Sequence, residues 1–200
     1  IGAIIAFIFG ANLYDQNPAY PFWLGSALVI ASSLLVFAFI REPKEFETSD
    51  TTPPNLWISL KKVIQEEEKS PLRVLLAIFF WFVAYNAIEA FFTLYAVNHL
   101  GMPESDGARL LGQLSLLFVA MALFSGFIGA KIGRRNTITI GILLLAACMI
   151  AMYVVPVEIL TIQLARAPIL GNIPVVGVVL MIAGIAWALI NINSLPMVVD

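Results

Sequence analysis

Asn86, Glu89 and Thr93 lie within an apolar run, residues 78–97, in which Glu89 is the one charge. Residues 72–77 extend the run, with Arg73 near its start. A stretch of that length reads as a transmembrane helix. The three polar residues are spaced i, i+3, i+7 and so share one helix face. Phe79, Phe80, Val83, Ala87 and Ala90 fall mostly elsewhere. A charged side chain at the bilayer centre costs roughly 2.5–3.5 kcal/mol on insertion scales, and such groups mark ion and substrate paths. This face must look onto other helices or a wet cavity rather than lipid. Glu89 can serve transport chemistry there, or it can tie helices together by hydrogen bonds.

A second polar-aromatic face lies near the other end of the chain. Trp187, Asn191 and Ser194 are spaced i, i+4, i+7, with Asn193 beside them. A Trp amid polar groups can stack on a sugar ring, and it can equally fill a helix interface.

The composition requires a bilayer. Hydrophobic residues make up 60% of the chain and charged residues 12%, where a soluble domain carries roughly 25% charge. The net charge of -2 and the lack of a basic face give no sign of nucleic-acid binding. Cys148 is the lone cysteine, so no disulfide framework or metal cluster is expected. No His/Cys/Asp metal set and no Ser/His/Asp set is recognisable, so the chain does not read as an enzyme and implies no cofactor.

The elements that position the two faces follow in order. Residues 1–13 are apolar but too short to span. They lack a basic n-region and a small-residue cleavage site, so they are no signal peptide. They are expected to be the outer part of a helix cut short, and the chain an internal piece of a larger membrane protein. Loop 14–21 holds Asp15 and no Lys or Arg. Residues 22–40 make a full span, led by an aromatic belt of Tyr20, Phe22 and Trp23. Residues 41–71 form a charged loop. Within it Asn55 is expected to cap a short amphipathic helix reaching about Lys69. Leu56, Leu60, Val63 and Ile64 fall on one face, with Lys61, Lys62, Glu66 and Glu67 on or beside the other. Such a helix suits a membrane surface, or serves as a solvated linker.

Further spans are expected over 72–97, 110–132, 137–155 and 174–199, the first preceded by Ser70-Pro71. His99, in the turn-rich loop after the Glu89 span, reads as an interfacial polar residue. In the 110–132 span two rows of small residues, Ala122/Gly126/Ala130 and Ser125/Gly129/Gly133, would let another helix approach closely. In the last span Gly177, Gly184 and Asn191 repeat every seven residues. The connector 156–173 is expected to lie against the membrane.

Charge sets the orientation. The loops 41–73 and 131–135 hold nine of the eleven Lys and Arg, which assigns them to the inside. Arg109 and Arg166 fall in or beside the other loops, which are assigned to the outside.

The turn Gly126-Phe-Ile-Gly-Ala-Lys131-Ile-Gly133-Arg134-Arg135 resembles the cytoplasmic signature of the major facilitator superfamily. That signature is a Gly, an acidic residue, a basic residue, a Gly and a basic pair. Here Gly126, Lys131, Gly133, Arg134 and Arg135 are kept, and Ala130 stands at the acidic position. Arg41-Glu42-Pro43 adds to the likeness. Asn86-Ala-Ile-Glu89-Ala-Phe, with Gly184, Trp187, Asn191 and Leu195-Pro196, looks like the sucrose and glycoside–cation symporter branch.

The resemblance implies an all-α polytopic transmembrane helix bundle, incomplete. Residues 1–40 would end an N-terminal six-helix bundle, and 41–71 would be the cytoplasmic loop between bundles. Residues 72–200 would supply the first four helices of the C-terminal bundle. It implies a multi-pass transporter of the cytoplasmic membrane that moves a sugar or glycoside with a proton by alternating access. Glu89 would be the coupling carboxylate. Asn86, Thr93 and Asn191 would bind substrate, and Trp187 would be a stacking platform. Gly126, Lys131, Gly133, Arg134 and Arg135 would form a cytoplasmic gate or anchor. The alternatives are a sodium-coupled or exporting member, or a membrane scaffold or receptor.

Overall fold

The computed structural model describes residues 2–40, 55–65, 69–168 and 170–199. Arg41-Glu42-Pro43, most of the expected inter-bundle loop, Glu66, Glu67 and Asp200 lie outside the described residues. The elements in order are α1 (Gly2–Gln16), α2 (Tyr20–Phe39), α3 (Leu56–Gln65), α4 (Ser70–Asn98), α5 (Glu104–Ile132), α6 (Arg134–Val154), α7 (Val157–Leu160), β1 (Gln163–Ala167), β2 (Gly171–Pro174) and α8 (Val175–Val199). Among the described residues, five helices are long and apolar enough to cross a membrane: α2, α4, α5, α6 and α8. A helix satisfies its own backbone groups, which is what hydrocarbon demands. The fold is the expected all-α transmembrane bundle.

Local chemistry sets the helix ends. The Asn17 side chain accepts the Ala19 N–H at 2.8 Å, and the chain turns there from α1 into α2. Asn55 accepts the Trp57 N–H at 3.1 Å and so caps α3. Pro71 lies in the first turn of α4, where its missing N–H costs nothing. α5 starts at Glu104, earlier than expected, because Pro103 is extended before it and Glu104 and Asp106 suit the positive end of the helix dipole. Gly133 alone joins α5 to α6, with φ +88 and ψ 138, a backbone that side-chain-bearing residues rarely adopt.

The core forms where α8 packs between α5 and α6. In α8, 56% of the most apolar window is buried, against none in α2. Glycines allow the approach. A Cβ on Gly184 of α8 would stand 2.3 Å from the Leu114 carbonyl oxygen of α5. One on Gly141 of α6 would meet the Ala186 carbonyl oxygen of α8 at 2.8 Å. Leu110, Leu180 and Ile190 fill the surrounding space. Lipid tails are as apolar as these side chains, so close packing and hydrogen bonds hold the helices together. Ser125 donates to the Ala188 carbonyl at 2.9 Å. Asn193, fully within the core, donates to the Ser125 hydroxyl at 2.9 Å and to the Leu189 carbonyl at 2.9 Å. Tyr95 ties α4 to α6 through the Met152 carbonyl at 2.9 Å. Such bonds contribute about 0.6–2 kcal/mol each within a membrane.

One expectation is corrected. Among the described residues, only one of the small-residue rows packs. Gly129 lies against Asn193, whereas Gly126 is exposed, with open space where a Cβ would project. The rows lie side by side on α5, and α8 covers one of them. The connector, expected to lie against the membrane, contains a short antiparallel hairpin, β1–β2. Gly171 turns it with φ +73, and Gln113 of α5 donates to the Leu170 and Asn172 carbonyls at 3.0 and 2.8 Å.

These contacts separate two glycines that look alike in the sequence. Gly184→Ala should destabilise the bundle by about 1–3 kcal/mol, the range for overpacking, and Gly126→Leu should be tolerated. Unfolding midpoints of the purified full-length protein measure both. A normal midpoint for Gly184→Ala would show that α8 can move off α5.

Candidate functional site

Glu89 is half-buried in a crevice with Phe7 of α1, Tyr85 and Ile88 of α4, and Leu111, Leu114 and Ser115 of α5. Three helices from distant parts of the sequence meet there. The crevice has no room for a water molecule. Among the described residues, no hydrogen bond or ion pair to the Glu89 carboxylate is found.

One turn earlier on the same helix, Tyr85 stacks on Trp187 of α8, with ring centroids 4.0 Å apart and planes within 4°. Phe82 meets Trp187 edge-on at 5.2 Å. Trp187 is 3% exposed. Tyr85 is the member of the stack that reaches the crevice. Tyr85 thus covers one face of the Trp187 ring, the residue expected to be a stacking platform.

The remaining residues of the two polar faces are spread out. Thr93 is half-buried, and its methyl packs where a Cβ on Gly107 would stand, at 3.3 Å. Asn86 is exposed and donates to the Phe82 carbonyl of its own helix at 2.8 Å. Asn191 is half-buried, and its carbonyl accepts the Ser194 hydroxyl at 2.9 Å. Asn193, adjacent in sequence to Ile192, is committed to Ser125 in the helix interface. His99 is exposed at the end of α4, with its ring 5.0 Å from Tyr95.

The basic turn lies elsewhere. Lys131 is 16 residues along α5 from Ser115, which at about 1.5 Å per residue is roughly 24 Å away. Lys131 and Arg135 are exposed and Arg134 is half-buried. Thr137 donates back to the Gly133 carbonyl at 3.0 Å, and Asn136 to that of Ile132 at 3.0 Å. The turn is thus a rigid basic knuckle remote from the carboxylate.

The family model described as Major Facilitator Superfamily matches residues 1–200. The chain belongs to the major facilitator superfamily. It is accordingly a multi-pass membrane protein and a secondary transporter, of a superfamily whose members bind small-molecule substrates within a lipid bilayer. No curated protein and no solved structure matches it.

Two residues of this superfamily chain were not singled out in the sequence. Tyr85 reads there as one more aromatic in an aromatic-rich helix, and nothing local reveals the stack on Trp187. Arg109 is visible as an arginine near the start of an apolar span, but its partners lie on α1.

The stack has a measurable consequence. Tyr85→Phe should leave stability unchanged, and Tyr85→Leu should cost about 1 kcal/mol, since an aromatic pair contributes roughly 0.5–1.5 kcal/mol beyond its buried area. Trp187 emission, followed with every other tryptophan, Trp23, Trp57 and Trp81 among them, replaced by Phe, reads both. Equal stability of the two variants would remove the stack from the forces holding α4 on α8.

Proposed function

We propose that this transporter is a proton-coupled symporter of a sugar or glycoside in the cytoplasmic membrane, working by alternating access. Glu89 is the coupling group. The observation that carries this reading is the place of Glu89 in the dry crevice between α1, α4 and α5. A carboxyl there is shut from water while the crevice is closed and is open to proton exchange when the helices part. In this reading α1 and α2 belong to one bundle and α4 to α8 to the other, and substrate sits between them near mid-membrane.

Asn86, Thr93 and Asn191 offer hydroxyl-binding groups, and the Tyr85–Trp187 pair offers the stacking surface, with Tyr85 foremost. Gly126, Lys131, Gly133, Arg134 and Arg135 form the cytoplasmic turn, an anchor at the membrane face rather than a substrate ligand. The positive residues gathered in that turn and in 41–73 support the orientation.

The energetics suffice for concentrative uptake. A proton moving inward through 100 mV releases about 2.3 kcal/mol, and one pH unit adds roughly 1.4 kcal/mol. Their sum of about 3.7 kcal/mol would hold a roughly 500-fold gradient of a neutral solute at one proton per cycle.

Glu89→Gln keeps the shape of the side chain and removes its charge. It should abolish uphill uptake while leaving substrate binding or exchange at least partly intact. Substrate accumulation and pH change in proteoliposomes holding the full-length protein decide it. Normal accumulation with normal proton flux would make Glu89 a structural residue. Accumulation driven by sodium instead of protons would favour the sodium-coupled alternative.

A further inference from the structure

At the end of the bundle away from the basic turn, Arg109 of α5 joins three groups. It donates to Asp106 of its own helix at 2.9 Å, to the Asn12 side chain of α1 at 3.0 Å, and to Asp15 of α1. Asn12 and Asp15 precede the segment 41–54 and Arg109 follows it, so the guanidinium bridges the helices assigned above to different bundles. Beneath it, Ile8 and Ala11 of α1 are buried against α5. Gly112 admits Ile8, since a Cβ there would stand 2.9 Å from the Ile8 side chain.

The hairpin has a part in this. A Cβ on Gly171 would stand 3.0 Å from Arg109 Cδ, so the turn lies directly against the arginine stem. Gln113, one turn along α5 from Arg109, grips the same turn through the Leu170 and Asn172 carbonyls. The stem is thus confined between its own helix and the hairpin, with its planar fork aimed at α1. A polar cavity of about 400 Å³, bounded by Asn12, Asp15, Asp106, Arg109, Arg166 and Asn172 among others, adjoins the cluster. Arg109 is 18% exposed and Asp15 45%. Ion pairs as wet as this are weak, so the pair can break and re-form without holding the protein permanently shut.

We propose that Arg109 is a latch that closes this end of the transporter by fastening α1 to α5, and that the β1–β2 hairpin, clamped by Gln113, is the rest that positions it. Its place in a transport cycle depends on the function proposed above, and the latch itself does not.

The test uses Ala11, which is 1% exposed beneath the latch. The full-length protein, with Ala11→Cys and every native cysteine, Cys148 among them, replaced by Ala, is placed in nanodiscs so that both faces meet a bulky, charged maleimide. Asp15→Asn and Arg109→Gln should each raise the labelling rate at least fivefold. The exchange Asp15→Arg with Arg109→Asp should return it toward the parent rate, because Arg at 15 then meets carboxylates at 106 and 109. Gln113→Leu, which frees the hairpin and leaves Arg109 in place, should also raise the rate. Unchanged labelling in Asp15→Asn, an exposed and mild change, would overturn the latch. So would an exchange variant that labels as fast as the single variants. No substrate or gradient is involved, so failure here is distinguishable from failure of Glu89 as coupling group.

Discussion

Backbone meets backbone where α8 crosses α5 and α6, and the rest of the bundle depends on that approach. Gly184 brings α8 onto the Leu114 carbonyl, and Gly141 brings α6 onto that of Ala186. In water such a core would be driven together by apolar burial. In a bilayer the surrounding lipid is equally apolar, so contact distance and hydrogen bonding decide which helices associate. α2, apolar along its whole length, has no buried residue among those described.

The same logic governs the polar residues. Each polar group inside the bundle must find a partner or a functional use. Ser125 and Asn193 satisfy one another and the neighbouring backbone, and they become part of the packing. Gln113 is spent on the hairpin turn. Glu89 differs from these, since it lines a crevice with Tyr85, Ser115 and apolar neighbours instead of sitting in a hydrogen-bonded interface. That difference is why Glu89, and not Asn193, is proposed as the coupling residue, although both are polar groups within apolar spans.

The two ends of the molecule hold charge differently. At the basic turn, Gly133 permits a one-residue joint and leaves Lys131 and Arg135 on the surface. At the other end, Arg109, Asp15 and Asp106 are drawn together across helices and the hairpin lies over them. A closed crevice at Glu89 is consistent with α1 held against α5 at that end. Release of one and opening of the other would be parts of the same movement of α1.

Much of this was legible in the residue order. Runs of apolar residues near bilayer length specify helices, because hydrocarbon leaves the backbone no other open-chain choice. The isolated charge of Glu89, the Asn55 cap and the glycine-marked basic turn all act through neighbours close in sequence. The resemblance to the superfamily rested on the same local spacing, and the family match over residues 1–200 shows the membership. Contacts between helices were not legible. Gly126 and Gly129 are three residues apart and chemically identical, and only the position of α8 makes one a contact and leaves the other bare. Trp187 looked available until Tyr85 was found against it, and Arg109 looked solitary until α1 came beside it. Periodicity states which residues share a face. It carries no information about what that face meets, because the partner's identity depends on how separate helices pack in three dimensions.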